Sequence, residues 1–257
     1  MMDRASFIGL FLGLLALVGG NLLEGGKIGS ILQPTAALIV FGGTIGATLL
    51  SFPFRDIQKA VVSLRRVFFE KRSDAEAEAL IRTLIRYSHT ARRNGFIALE
   101  PVIPKLENAF LRRALKLSVD GMLPKMLIET MQQENATFEE EQRRVAKVFE
   151  TAGGFAPTIG IIGAVLGLIH VMENLADPAK LGAGIAVAFV ATIYGVGSAN
   201  LVLLPISRKL TNRLHRELAF REMTLEGVVG LQAGLNPHYL EAKLRTFIET
   251  NDDAGNR

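Results

Sequence analysis

The sequence predicts an all-α integral membrane protein: four transmembrane helices plus a helical cytoplasmic domain. Three observations carry that expectation. Four long stretches contain no charged residue. The charged residues gather in two segments, one after the second stretch and one after the fourth. Strand alternation is scarce, whereas apolar residues recur at helical spacing. The 257 residues are 49% hydrophobic, with a mean hydropathy of +0.29, which suits a chain partly in lipid.

The uncharged stretches are Phe7–Leu23, Ile28–Phe52, Thr151–Met172 and Leu181–Ser207. A helix of about 20 apolar residues crosses the roughly 30 Å of hydrocarbon in a bilayer. A charge at mid-membrane costs about 2.5–3.5 kcal/mol on the insertion scale, so its absence is informative. Arg4 and the small residues after the first run also suit a cleaved leader. The run is long for one, and a second apolar run begins a few residues later, so a membrane hairpin is expected.

Orientation follows from the basic residues. Residues 53–154 hold 18 Lys+Arg and 14 Asp+Glu, and residues 207–257 hold 8 and 7. The short turns Glu24–Lys27 and Glu173–Lys180 hold one lysine each. The positive-inside rule puts both termini and the large loop in the cytoplasm and turns the two short turns outward. The expected order is a first span and short outer turn (1–30), a second span (31–52), a cytoplasmic helical domain (53–150), a third span (151–173), an outer turn (174–180), a fourth span (181–206) and a cytoplasmic tail (207–257). The pI near 9.5 needs no nucleic-acid partner to explain it.

Within the cytoplasmic domain, Ser73 and Glu76 form a capping box. Leu80, Ile81, Leu84, Ile85 and Ser88 trace one helical stripe. Gly95 ends that helix. A second helix is expected over 98–121, closed by Gly121, and a third from Pro124 towards the third span. The last residues, "TNDDAGNR", read as frayed.

Small residues recur four apart in every span: Gly9 and Gly13; Gly42 and Gly46; Gly160 and Ala164, Gly163 and Gly167; Gly184, Ala188 and Thr192, Ala191, Gly195 and Ala199. Such faces let helix backbones approach closely. They serve either packing inside one four-helix unit or packing among copies and a partner helix, and their number favours the second. None of the four uncharged stretches holds an Asp or Glu, and Glu173 stands at the outer edge of the third. Ion translocation needs an acid or a polar chain in the membrane. Either this chain conducts nothing, or a partner brings the acid. The sequence shows no Cys, no nucleophile–base pair, no metal-ligand spacing and no phosphate loop, so neither an enzyme nor a cofactor is expected.

The stretch "AFVATIYGVGSANLVLLP", with Ala188, Thr192, Gly195 and Pro205 at their spacing, resembles the fourth span of the MotA/PomA family of flagellar stator proteins. Gly197 departs from it, standing where a larger aliphatic residue is usual. "FAPTIGIIGAVLGLIHVM" is similar to the family's third span, "NLLEGGKIGSILQPTAALIVFGGTIGATLL" to its first turn and second span, and "ARRNGFIALE" to its rotor-contact region. The resemblance covers nearly the whole chain except the tail. It implies a homo-oligomeric ring, a pentamer, around a MotB-type single-span partner that grips peptidoglycan and carries an essential aspartate. Ion flow at that aspartate would drive the ring against the rotor protein FliG.

It also implies roles for particular residues, each of which has a plainer reading. Pro157 would be a hinge or gate at the cytoplasmic end of span three, or a tolerated first-turn proline. Pro205 would be a second functional proline, or a helix terminator before Arg208 and Lys209. Thr192 would line the ion path, or bond back to its own helix. Ala164 stands where sodium-driven relatives carry a threonine. A methyl group offers a hard cation no oxygen, which points to H⁺. Arg92, Arg93 and Glu100 would contact FliG by charge, or merely complement the ends of two helices. Apart from the resemblance, His170 reads as a proton relay, because imidazole titrates near neutrality, or more plainly as a histidine at the membrane interface. Two other readings are an ExbB/TolQ-type subunit, typically with three spans, and a scaffold with no ion coupling.

Overall fold

A computed structural model of the chain describes residues 4–68 and 74–255. Those residues form helices and no strand. They divide into two compact units, Met1–Glu70 with Gln142–Thr211, and Lys71–Glu141 with Asn212–Arg257. Four helices are long and apolar enough to cross a membrane, and they cover the four uncharged stretches.

The first unit begins with α1 (Arg4–Leu23), whose side chains are apolar all round and mostly exposed. A helix of that kind belongs in lipid or against other apolar helices. The second span is not one helix. A single turn, α2 (Ile28–Ile31), is followed by extended Leu32 and Gln33, and α3 (Pro34–Ala37) starts on the proline. The proline ring disfavours α geometry in the residue before it. A π-helical segment, Leu38–Gly42, leads into α4 (Gly43–Ser51). Helix α5 (Phe54–Phe68) follows.

In the second unit, α6 (Asp74–Asn94) buries Leu80, Ile81, Leu84 and Ser88 of the expected stripe together with Tyr87, while Ile85 is half-buried against the same core. Ser73, half of the expected capping box, lies outside the described residues. Gly95 follows with φ +82°, a conformation open to glycine. The single helix expected over 98–121 is two elements. Pro101 and Pro104 lack the amides an α-helix needs, and Phe96–Lys105 is a 3₁₀-helix. Asn108 then caps α7 (Ala109–Val119) by accepting from the Phe110 and Leu111 amides at 3.0 and 3.1 Å. Gly121 closes α7 with φ +88°, and the Met122 amide reaches the Leu117 carbonyl at 3.0 Å.

Helix α8 (Pro124–Glu173) is continuous for 50 residues and includes the third span. The fourth span is α9 (Pro178–Ser198), a π-helical segment Ala199–Leu203, and then α10 (Leu204–Gln232). Helix α11 (Pro237–Gly255) completes the chain, carrying helix further than the frayed end expected from "TNDDAGNR". Residues after 207 are not an appendage. Met223, Leu225, Val228, Leu231, Leu240 and Leu244 are buried in the same core as Leu84, Leu115, Leu127 and Met131. The Glu226 carboxylate hydrogen-bonds Lys243 and holds its ammonium pKa above the ordinary value, tying α10 to α11.

Candidate functional site

The third and fourth spans meet along a seam of small residues. A methyl group on Gly160 would stand 2.9 Å from the Ala191 carbonyl oxygen, and one on Gly195 only 2.5 Å from that of Ala156. One on Gly167 would stand 2.7 Å from the Ala188 amide nitrogen, and one on Gly163 would stand 2.8 Å from the Ala191 methyl. These distances leave no room for side chains, so the backbones of α8 and α9 touch. The seam therefore consumes the small faces of Gly160, Gly163 and Gly167 inside one chain. This corrects the expectation that they form the surface for copies or a partner helix. Equal spacing serves both uses, and the sequence does not tell them apart. Gly9, Gly46 and Gly197, by contrast, have open space where a side chain would stand.

The same seam positions the candidate ion-path residues. Gly163 faces Ala191, so Ala164 and Thr192, the next residue on each of these antiparallel helices, lie about 3 Å apart along the hairpin axis. At about 100° per residue, Pro157 and Ala164 fall on one flank of α8. Thr192 falls on the same flank of the antiparallel α9. All three are half-buried. The Thr192 hydroxyl donates to the Ala188 carbonyl at 3.3 Å, the back-bond weighed from the sequence, and a long one. Other polar groups in the spans also bond back to their own helices. Thr44, Thr48 and Thr158 donate to the carbonyls of Val40, Thr44 and Phe155 at 2.6, 2.7 and 2.8 Å, and the Asn200 amide to Val196 at 2.9 Å.

Neither proline behaves as its plainer reading supposed. Pro157 is not in a first turn. It lies inside continuous α8, where it removes the donor that would meet the Gly153 carbonyl. Pro205 does not end the fourth span. The π-turn just before it closes with the Leu204 amide on the Ala199 carbonyl, and helix continues through the proline to Gln232. Such π-turns recur at functional sites. Pro205 is exposed.

Tyr194 of the fourth span reaches the backbone of the second span. Its hydroxyl donates to the Ile31 carbonyl at 2.7 Å and accepts from the Gln33 amide at 3.3 Å, and its ring stacks on Phe41 at 5.6 Å. It satisfies the backbone where the second span breaks. Pro34 was the signal for that break. His170 is exposed near the end of α8, and its carbonyl accepts from the Asn174 amide at 2.8 Å.

In the second unit, Arg92 and Arg93 occupy the last turn of α6, as cations that complement a helix end do. Glu100 lies in the middle of the 3₁₀-helix and not at its start, so it does not complement that end. All three are exposed. The arginines share a surface recess with His89, Asn236, Pro237 and His238, which Glu100 does not line. Among the described residues, no group of three His, Asp or Glu could hold a metal ion.

Four apolar spans, a second helical unit and a hydroxyl-bearing seam without acid are the marks of an ion-channel subunit that works with a partner. The family described as MotA/TolQ/ExbB proton channel matches residues 103–223, and the Motility protein A N-terminal family matches residues 7–95. Motility protein A of Bacillus subtilis (strain 168) is 35% identical over 251 residues, 98% of this chain and 93% of that protein. Chemotaxis protein PomA of Vibrio alginolyticus is 32% identical over 247 residues, 96% of each chain. A chain of the flagellar MotAB stator complex from Bacillus subtilis superposes with a TM-score of 0.90 at 33% identity, covering 98% of this chain and 99% of that one. The chain belongs to the MotA family.

Proposed function

We propose that the chain is a stator subunit of a bacterial flagellar motor. Copies of it, a pentamer, surround a MotB-type single-span partner in the inner membrane, with both termini in the cytoplasm. Ion flow at the partner's aspartate moves the ring, and the ring pushes FliG through Arg92, Arg93 and Glu100.

One observation carries this reading. The four uncharged stretches contain no Asp or Glu, although the family is described as a proton channel family. Hydroxyls bonded to their own helices do not carry an ion alone. An acid brought by another chain completes the path, and the solved neighbour is itself a complex of two kinds of protein. Close to the level of Thr192 the facing helix offers the Ala164 methyl, so the coupling ion is H⁺. One charge crossing 100 mV releases about 2.3 kcal/mol, enough for small repeated steps. The ExbB/TolQ alternative lacks support from the first hairpin, which matches the Motility protein A N-terminal family.

The test is the native mass of the detergent-solubilised complex after co-expression with a MotB-type partner. Several copies of this chain around fewer partner helices are expected. A stable monomer that leaves the partner unbound overturns the reading.

A further inference from the structure

Helix α5 (Phe54–Phe68) begins three residues after the second span ends at Ser51. Phe52 between them is extended, with φ −133° and ψ 147°, which breaks the helix between the span and α5. Packing then shows where α5 goes. Ala60 lies in one buried cluster with Val145, Val148 and Phe149, and Leu64, Ile206 and Leu210 pack against it. Val148 and Phe149 stand just before the third uncharged stretch, and Ile206 lies at the end of the fourth. A helix continuing straight from the span would carry Leu64, 13 residues past Ser51, about 20 Å beyond that level. Leu64 instead packs where the spans end. Helix α5 therefore runs along the surface that the span ends define.

Its side chains sort onto separate faces. Ala60, Ser63 and Val67 are buried, with half-buried Ile57 and Leu64 beside them. On the opposite face Phe54, Val61 and Val62 are 66, 61 and 70% exposed. At about 100° per residue, Arg65 falls among these three, and Arg55 and Lys59 fall along one edge. Asp56, the one acid of α5, falls on the buried side. Water does not favour the three apolar side chains, and an apolar helix face does not favour the cations. The headgroup layer of a bilayer favours both. Apolar groups sink towards the acyl chains, while Lys and Arg extend their charge to the phosphates.

We propose that α5 lies in the headgroup layer of the cytoplasmic leaflet, where Arg55, Lys59 and Arg65 recruit anionic phospholipid. An anionic leaflet attracts basic residues next to a span, each adding about fivefold to the binding. The proposal requires only that the four uncharged stretches cross a membrane, so its test is separate from that of the stator reading.

The chain has no tryptophan, so Val61→Trp places a single reporter on the exposed face of α5. The full chain is co-expressed with a MotB-type partner whose tryptophans are replaced by phenylalanine. The complex is reconstituted in nanodiscs of phosphatidylcholine mixed equally with phosphatidylglycerol, and one lipid at a time carries bromine on its acyl chains. Brominated lipid is expected to quench the indole strongly and aqueous iodide weakly, whereas Tyr239→Trp in the second unit shows the reverse. Brominated phosphatidylglycerol is expected to quench several times more effectively than brominated phosphatidylcholine. Arg55→Gln and Lys59→Gln, each added to the reporter chain, are expected to lower that preference by up to about fivefold, with the mass of the complex unchanged. Val62→Trp gives the same reading should Val61→Trp disturb the fold. Quenching by iodide and not by lipid overturns the proposal, because α5 then faces water. Shielding from both also overturns it, because another protein chain then covers the helix. Equal quenching by the two lipids, unmoved by Arg55→Gln and Lys59→Gln, overturns the recruitment of anionic lipid.

Discussion

The Tyr194 hydroxyl of the fourth span donates a 2.7 Å hydrogen bond to the carbonyl of Ile31, 163 residues away, where the second span breaks. The break leaves backbone groups that lipid cannot satisfy. Tyr194→Phe keeps the ring on Phe41 and removes only the hydroxyl. It is expected to lower the stability of the solubilised protein by about 1 kcal/mol, the net worth of a hydrogen bond to a half-buried carbonyl. Thermal or denaturant unfolding in detergent measures it, and an unchanged midpoint would show that the hydroxyl holds nothing.

Glycines divide into two groups with different expected responses. Gly195→Ala would drive a methyl against the Ala156 carbonyl and force the third and fourth spans apart. The expected cost is about 1–3 kcal/mol, seen as a lower unfolding midpoint. Gly46→Ala meets no atom of its own chain within 4 Å. It is expected to leave the stability of the single chain unchanged, and any loss it causes should appear in the mass of the assembled complex.

Pro157 sets stability against function. Pro157→Ala returns a donor to the Gly153 carbonyl, and a proline in a helix interior costs about 3 kcal/mol. The variant is expected to be more stable than wild type, by up to that amount, and to swim worse if the interrupted ladder is a hinge. Higher stability with normal swimming would assign Pro157 no part in the motor.

Thr192 and Ala164 lie about 3 Å apart along the hairpin axis. Thr192→Ser keeps the hydroxyl and is expected to keep motility. Thr192→Val should lower swimming speed by about tenfold if the hydroxyl contributes roughly 1.4 kcal/mol to ion passage, with assembly intact. Wild-type swimming is expected to persist in sodium-free medium, because the Ala164 methyl gives sodium no ligand. Sodium-dependent swimming would contradict that assignment.

Much of this organisation was legible because its causes are local. Uncharged runs marked the spans, the stripe from Leu80 to Ser88 marked α6, and Gly95 and Gly121 marked two turns. What stayed hidden depends on partners far along the chain. Gly160 and Gly163 have the same spacing whether they face α9 or another copy. Pro205 reads as a stop until the π-turn before it carries the helix past. His238 lies in a segment that looked like a tail, and only the docking of α11 on α6 brings it to Arg92 and Arg93. Residues 207–257 were underestimated for the same reason: their apolar stripe acquires meaning from a core built by other elements.

The central claim is that this chain supplies half of an ion site and a partner supplies the acid. It is tested most directly by swimming in cells that lack their own stator and express this chain with a MotB-type partner. Swimming is expected with the intact partner and its loss with the partner's membrane aspartate changed to asparagine, while the complex still assembles. Undiminished swimming with the asparagine partner would contradict the claim.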